Sequence, residues 1–398
     1  MRRASQIALC SMLIVAFGKT GSCDEESFEP APAKESQTNV VPLIQLLGAD
    51  QFSVRENATD ELIKIGLPAR DALEQGRGNA DREIRYRCER ILLVIYEIDF
   101  RRRLEAFSAS RDPEQDFELP GWHRFRERMD ADANSRALFV LMLKEESTAL
   151  KSIQGDAEEA TDFLDLRTQQ LMQSKRLLRQ QLPLGSIAAM LFLAGDERVT
   201  LSPQTSSSIY SLCYEQSFRT AMVEGQHRQM MRRLLGAWIR RGEDLTAYQG
   251  LALAMQYDIP AGLVAARRAL KNQGPSHIRQ YAILALAKLG SAEHIPLLEP
   301  LLQDKTRTSS RRVNKVTYET QIRDVALATM VHLSKQDPKN FGFKNIRPHK
   351  TVVFNTSYLG FADEKERSEA LAKWKEFRAK QKSPEPKKPE EAKQDEAK

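Results

Sequence analysis

Cysteine and histidine are scarce in this sequence, and their scarcity argues against several classes of site. The 398 residues include four cysteines and six histidines. Cys10, Cys23, Cys88 and Cys213 do not show the paired spacing of a disulfide framework or a zinc finger. The histidines do not stand one helical turn apart with an accompanying glutamate, as a zinc hydrolase motif requires. We therefore predict no metal site.

Sequence fingerprints of nucleophilic and phosphate-transfer chemistry are also missing. Gly-x-Ser-x-Gly, Gly-x-x-x-x-Gly-Lys and Gly-x-Gly-x-x-Gly do not occur. The pairs Glu145–Glu146 and Glu158–Glu159 are adjacent on helices, where their side chains diverge by about 100°, so both indicate solvated faces. Cys88 and Cys213 occupy apolar helical positions typical of packed thiols. We expect no catalytic residue, no cofactor and no enzymatic activity.

The balance of charge is only weakly positive. The formal net charge is +6 over the chain. Nucleic-acid binding needs a concentrated positive surface, so nucleic acid is not an expected partner. Arg101–Arg103 and Arg228 with Arg232 and Arg233 form two short basic clusters. Because apolar residues occupy the other side of each helix, both clusters are typical of the wet face of an amphipathic helix.

Residues 1–23 have the three-part layout of a secretory signal peptide. Arg2 and Arg3 precede the 11-residue run Ile7–Phe17, which is apolar apart from Ser11, and small residues follow up to Cys23. A run this short favours cleavable export over a membrane anchor, so we expect a periplasmic, envelope or extracellular protein. Removal of Arg2, Arg3 and Lys19 would leave a net charge of 6 − 3 = +3. Lipid anchoring through Cys23 is the weaker alternative.

Both ends beside the core have the composition of unfolded chain. Residues 24–39 combine proline with charged residues and predict a linker. Residues 381–398 contain Pro, Glu and Lys without large apolar side chains, and predict a disordered charged tail.

Helical periodicity dominates the residues between these ends. Four segments share one pattern: an aliphatic residue, then Arg, then small and apolar residues at steps that keep one helical stripe. The segments are Val54-Arg55-Ala58-Leu62-Ile65, Ile84-Arg85-Cys88-Leu92-Ile95, Ile278-Arg279-Ala282-Leu286-Leu289 and Ile322-Arg323-Ala326-Met330-Leu333. The small residue would let a neighbouring helix approach, and the Arg head would stay in water.

The flanks of these segments predict helical hairpins. Ser53 with Glu56 predicts a capping box, and Gly66 and Gly290 follow the last stripe residue, where a left-handed cap is expected. Repetition after 30 residues (54 to 84) and 44 residues (278 to 322) is typical of an α-solenoid.

These segments resemble the HEAT-repeat family, over roughly residues 40–98 and 259–335. The chain is similar in particular to exported bacterial proteins with HEAT repeats. That likeness is carried by Leu119-Pro120-Gly121-Trp122 with Phe125-Arg126, by Arg323–Ala328, by Gln336-Asp337-Pro338 and by Phe341-Gly342-Phe343. The resemblance implies an all-α solenoid and an exported location, and it implies no activity.

We predict four structured regions between the linker and the tail. They are N-terminal HEAT-like repeats over 40–105, an irregular helical middle region over 106–250, C-terminal HEAT-like repeats over 251–345, and a cap over 346–380. In the cap, Thr351–Phe354 is the one stretch with strand character, and a helix capped by Asp363 and Glu366 follows.

One basic segment is a candidate binding site. Between the last two repeats lies a run of cations without any acid, separated mainly by Ser and Thr. They are Lys305, Arg307, Arg311, Arg312 and Lys315. Insertions in repeat proteins map to loops along one edge, often the binding edge. A site for an anionic partner is one interpretation, and a solvated loop is the other.

These observations favour a non-enzymatic, protein-binding scaffold of the cell envelope or exterior. Its partner would be another protein or an acidic envelope polymer, since solenoids offer long binding surfaces. The alternatives are an enzyme on a HEAT-like scaffold, of lyase or nucleic-acid-acting type, and a helical accessory subunit of a larger assembly. A buried carboxylate in a deep pocket beside Trp122 or Trp238 would favour the enzyme.

Overall fold

The computed structural model describes residues 40–382, apart from positions 113, 116, 179 and 243. The expected signal peptide and linker, and the expected tail from residue 383 onward, lie outside the described residues. The described chain is mostly α-helical, which confirms the all-α class. Among its helices, none combines the length and hydrophobicity that a membrane crossing requires.

The described residues divide into two compact units, and the boundary lies between Asp99 and Phe100. The helices of the first unit are α1 (Val40–Leu46), α2 (Phe52–Ile65), α3 (Arg70–Gly76) and the first part of α4 (Arg82–Ala109). The predicted stripe residues Ala58, Leu62 and Cys88 are all buried in its core. A β-carbon at Gly76 would lie 2.5 Å from Cys88 Sγ. The stripe residue Cys88 therefore packs closely against the backbone of α3 at Gly76.

The second unit contains the remaining helices, which share one continuous hydrophobic core. They are α5 (Trp122–Arg126), α6 (Ala133–Ser152), α7 (Ala157–Leu178), α8 (Leu184–Ala194), α9 (Pro203–Leu212), α10 (Gln216–Val223), α11 (Arg228–Arg241), α12 (Asp244–Tyr257), α13 (Ala261–Lys271), α14 (Ser276–Leu289), α15 (Ile295–Leu298), α16 (Ile322–Leu333) and α17 (Glu364–Lys382). Every residue of α8 from Gly185 to Ala194 is buried, as expected of a helix that is apolar all round. It packs against α6 and α11.

The arginine of the repeated pattern does not simply lie in water. Arg55 Nη1 donates to the carbonyls of Ala49 and Asp50 at 2.7 and 2.9 Å. Arg85 Nη1 donates in the same way to carbonyls six and five residues before it, both at 2.7 Å. In these two segments the guanidinium therefore satisfies carbonyl groups in the turn before its helix. The other two pattern arginines bind side chains instead, Arg279 that of Asp304 and Arg323 those of Gln321 and Glu364.

Two predicted helix ends are wrong. α2 begins at Phe52, and its N-cap residue Gln51 accepts no side-chain cap bond, so Ser53 and Glu56 do not form the capping box. Gly66 has the expected positive φ of 72°, whereas Gly290 has φ −91°. Gly290 instead makes a close approach, because a β-carbon there would lie 2.5 Å from the carbonyl oxygen of Leu286.

The basic segment before α16 lies mostly in a β-hairpin and is not a loop. β1 (Arg307–Val313) pairs antiparallel with β2 (Val316–Gln321). Asn314 and Lys315 form its two-residue turn with φ of 47° and 67°, as a tight hairpin requires. The predicted strand near Thr351–Phe354 is present as β4 (Val353–Phe354), which pairs with β3 (Pro348–His349). α17 has the predicted cap, since Asp363 Oδ1 accepts from the Glu366 amide at 2.9 Å.

Candidate anion-binding groove

Two adjoining cavities of about 860 Å³ and about 1040 Å³ open on the second unit. They share the lining residues Arg128, Ala237 and Arg240. We call the two cavities together the arginine groove. Its basic lining residues are Arg124, Arg128, Arg228, Arg232, Arg233, Arg240, Arg241 and Arg268. Cations at this density are the main electrostatic feature of the groove.

Helix α11 supplies most of these arginines because it is strongly amphipathic. Its apolar side, including Met231, Leu234 and Trp238, is buried in the core. The arginines occupy the other side, where they line the cavities. The basic cluster Arg228, Arg232 and Arg233, predicted as a wet face, therefore lies along a concave surface.

Helix α5 and the turn after it place Arg124 and Arg128. Gly121 precedes the helix with φ 80°, a backbone conformation that favours glycine. Trp122 and Phe125 are fully buried in an aromatic cluster with Phe139, at ring-centroid distances of 5.0 and 5.1 Å. Because these rings anchor one side of the helix, the two arginines are directed toward the groove.

Asp196 is a buried carboxylate in the wall of the second cavity. Its side chain is completely inaccessible to solvent. Arg124 donates to both of its oxygens, Nε to Oδ2 at 2.9 Å and Nη2 to Oδ1 at 3.2 Å. The amide of Arg198 donates to Oδ1 at 3.0 Å. Burial alone would raise the pKa of Asp196, but these bonds outweigh it and hold the pKa well below 3.8.

Arg128 lies where positive charges are crowded. Its Nη1 donates to the carbonyl oxygen of Phe192 at 3.0 Å and lies 3.9 Å from Asp196 Oδ2. Burial lowers the pKa of Arg128, Asp196 raises it, and the charges of Arg124, Arg240 and Arg241 lower it further. Repulsion of this kind is relieved when an anion binds between the guanidinium groups.

The remaining arginines differ in how they are held. Arg232 donates to the carbonyls of Tyr257 and Asp258, which carry no formal charge. Arg233 forms an ion pair with Asp130 at 2.7 Å. Arg228 and Arg240 are exposed, and the guanidinium group of neither makes a hydrogen bond or ion pair with the part of the chain that the structure describes. Both are therefore available to a ligand.

The five cations of the predicted site are spread over the hairpin and do not converge. Arg311 is half-buried: it lies 3.9 Å from the centre of the Tyr358 ring and donates to the Ser357 carbonyl at 3.3 Å. Lys305, Arg307, Arg312 and Lys315 are exposed before, along and at the turn of the hairpin. Arg307 Nη1 lies 3.9 Å from Glu319 Oε2. Anion binding by this set stays a prediction.

The carboxylates and cysteines considered from sequence have mixed outcomes. Glu158 and Glu159 are exposed as predicted, but Glu146 is buried and not solvated. Its Oε1 accepts hydrogen bonds from Arg167 Nη2 and from Ser186 Oγ, each at 2.7 Å. A kink in α6 at Glu146, with φ −142° and ψ 50°, turns the side chain away from the direction that regular helical spacing implies.

Cys88 and Cys213 are free and buried, as the packed-thiol prediction requires. Burial raises the pKa of both thiols, that of Cys88 to about 11. Within the residues described, His, Cys, Asp and Glu side chains do not come together in a group of three or more that could hold a metal ion.

Sequence reasoning missed the groove itself. Arg124 and Arg128 stand four apart, as do Arg228 and Arg232, and a spacing of four places side chains on one helical face. That signal was available for Arg228 and Arg232 within α11, whereas Arg128 lies in the turn after α5. The position of Arg124 and Arg128 beside Arg240 was not available, because it depends on packing across more than a hundred residues of chain.

Comparison with known proteins adds no family assignment. The chain matches no protein-family model and no curated protein.

Proposed function

We propose that this protein is a non-enzymatic binding scaffold, built from stacked helical hairpins of the HEAT type, which holds an anionic partner in the arginine groove. The observation that carries the proposal is that Arg128, Arg228, Arg232 and Arg240 all line one cavity. Asp and Glu are absent among the described residues that line this cavity. An anion there would satisfy exposed guanidinium groups and reduce their mutual repulsion.

The contacts among the helices support the hairpin arrangement. In the second unit, α11 contacts α13, α12 contacts α14, and α14 contacts α16, in addition to neighbours along the chain. Contacts between alternate helices are what stacked hairpins produce. The buried stripes of α14 and α16 supply the apolar faces for such stacking.

The chemistry of the groove favours binding over catalysis. Asp196 is the buried carboxylate that an enzyme would need, but Arg124 and Arg198 occupy its oxygens and depress its pKa. A carboxylate held in this way is a weak general base near neutral pH. Cys213 has a raised pKa and full burial, and thus does not supply a nucleophile.

The proposed compartment is the cell envelope or exterior. It rests on the layout of residues 1–23, where Arg2 and Arg3 precede the apolar run Ile7–Phe17. Cell fractionation followed by N-terminal sequencing of the recovered chain tests it. Recovery with Met1 intact from the cytosol would contradict export.

The anionic partner is tested with two matched double variants. Arg228→Ser with Arg240→Ser removes two exposed charges from the groove, and Arg307→Ser with Arg312→Ser removes two exposed charges from the hairpin. Both have the same net charge, so non-specific attraction weakens equally. The probes are poly-L-glutamate and inorganic polyphosphate, and binding is measured by titration calorimetry.

We expect the groove variant to lose about tenfold or more in affinity for at least one probe, since hydrogen bonds to charged groups contribute about 1.5–3 kcal/mol each. The hairpin variant should bind as the wild type does. Weaker binding by the hairpin variant, with wild-type binding by the groove variant, would show that the anion binds the hairpin segment. Equal affinities for the wild type and both variants would contradict anion binding at the groove and at the hairpin.

A further inference from the structure

The arginines of α11 form an extended row and not a single cluster. Arg228, Arg232 and Arg240 are separated by four and eight residues, and Gly236 occupies the step between the last two. All four positions line the first cavity. Side chains four residues apart follow one slowly turning stripe. Twelve residues of helix extend for about 18 Å at about 1.5 Å per residue.

Gly236 keeps the middle of this row open. A β-carbon there would meet Ile259 Cγ2 at 3.5 Å, Ala261 Cβ at 3.6 Å and Arg240 Nη1 at 3.8 Å. These are ordinary van der Waals distances, so helix packing does not demand a glycine. A longer side chain at this position would instead enter the cavity between Arg232 and Arg240.

Among the described residues, no acidic side chain forms an ion pair with the three arginines of the row. Carbonyl oxygens orient Arg232 without adding a negative charge. Arg228 and Arg240 lie at the two ends of the row, and their guanidinium groups have no partner among the described residues. The charged form of the nearby Arg128 is disfavoured by burial and, to a lesser extent, by the charge of Arg240. A compact anion could reach one end or the other, whereas a chain of anions could reach both.

The lining of the cavities restricts the kind of chain. Among the described residues that line them there is no Phe, Tyr, Trp or His. Proteins that bind single-stranded nucleic acid stack bases on aromatic side chains, so the groove has no platform for bases. The basic lining residues of both cavities are all arginines and include no lysine. Guanidinium groups match the geometry of phosphate oxygens and bind them in a bidentate manner.

We propose that the arginine groove binds a linear phosphate polymer without bases, which lies along α11 and contacts Arg228, Arg232 and Arg240 together. This inference rests on the proposed function and specifies the ligand class. Such a chain could be inorganic polyphosphate or a polyol phosphate polymer of the cell envelope. The two share phosphate groups at regular short intervals, and both are anionic at neutral pH.

The test compares probes of increasing length on the full chain. Orthophosphate, tripolyphosphate, long-chain polyphosphate and a synthetic glycerol phosphate oligomer are titrated at equal phosphate concentration. We expect affinity per chain to rise at least about tenfold from orthophosphate to the long polymer, because linked contacts act together. The polymer that binds more tightly identifies the source of the phosphate.

Two variants localise the effect. Gly236→Gln should remove most of the length dependence, measured as the ratio of the affinities for long-chain polyphosphate and orthophosphate, because it interrupts the row and keeps every arginine. Arg240→Ser should lower the slope of log affinity against log salt by about one, the value for one lost phosphate contact. Gly274→Gln is the matched control, since a β-carbon at Gly274 meets nothing within 4 Å.

Several outcomes would overturn the inference separately from the proposed function. Affinity that is independent of chain length, but still lost in Arg228→Ser with Arg240→Ser, would show a single-anion site. If poly-L-glutamate or single-stranded DNA binds as tightly as polyphosphate at equal charge, the ligand is not specifically a phosphate polymer without bases. Both results keep an anion-binding groove. Binding of all probes that is insensitive to every groove variant would overturn the inference and the proposed function together.

Discussion

Arg124 and Asp196 form a two-point ion pair in which Nε and Nη2 of the arginine each donate to a different carboxylate oxygen, at 2.9 and 3.2 Å. The pair joins α5 to the residues that follow α8, 72 positions away in the chain. It holds one wall of the arginine groove in place. The same carboxylate lies 3.9 Å from Arg128 Nη1 and offsets part of the positive charge there.

Replacement of Asp196 should lower stability in a manner that depends on pH. Because the pKa of Asp196 in the folded protein lies below its value of 3.8 in the unfolded chain, the carboxylate contributes stability that is present above pH 3.8 and is lost as pH falls below it. Asp196→Asn should reduce the free energy of unfolding by roughly 1–3 kcal/mol at pH 7. Urea unfolding at pH 7 and pH 3 measures this difference.

The difference in the free energy of unfolding between wild type and Asp196→Asn should be smaller at pH 3 than at pH 7. Glu197→Gln, beside it and exposed, is the control and should change little at either pH. A gap of the same size at both pH values would contradict the charged role of Asp196.

Gly195 should not tolerate a side chain. A β-carbon there would lie 2.6 Å from Arg128 Nη2 and 2.9 Å from Ala237 Cβ. Gly195→Ala should therefore cost about 1–3 kcal/mol, as overpacking does, and should displace Arg128. Thermal unfolding measures the cost, and anion titration measures the displacement. Gly274→Ala meets open space and should stay within about 0.5 kcal/mol of wild type.

The contact between α16 and α17 depends on a buried ion pair. Arg367 Nε lies 2.9 Å from Asp324 Oδ1, and both side chains are at most 5% exposed. Asp324→Asn or Arg367→Met should each lower the free energy of unfolding by about 3–5 kcal/mol, because each removes the buried partner of a buried charge. After Asp324→Asn, Arg367 keeps its ion pair with Glu364, which is exposed. The double variant should lose less than the sum of the two, which chemical denaturation can measure. Strict additivity would contradict direct coupling.

The hairpin turn contains a residue in a strained conformation. Lys315 has φ 67°, which costs a residue with a β-carbon about 1–2 kcal/mol relative to glycine. Lys315→Gly should raise the melting temperature, whereas Lys315→Ala removes the same charge and should not. If both variants melt at the same temperature, the turn conformation is not the source of the strain.

Local pattern predicted much of the helical structure. The stripe Ile278, Ala282 and Leu286 is buried as its spacing requires, and Asp363 caps α17 as its position before Glu366 indicates. These predictions succeeded because they depend on residues within one or two helical turns. The β-hairpin was missed because Arg307–Val313 is polar and charged, although Asn314-Lys315 between two valines is a recognisable turn signal.

Helix composition by itself determined which faces of this protein are apolar, where the small residues allow close packing, and that α11 carries its arginines on one side. The tertiary structure alone decided that those arginines face Arg124 and Arg128 across a groove, that Glu146 is buried at a kink, and that Asp196 is bound by Arg124. The physical reason is the distance along the chain over which each effect acts. Helical periodicity relates residues that are a few positions apart, whereas charge crowding and burial depend on which helices, distant in sequence, come into contact.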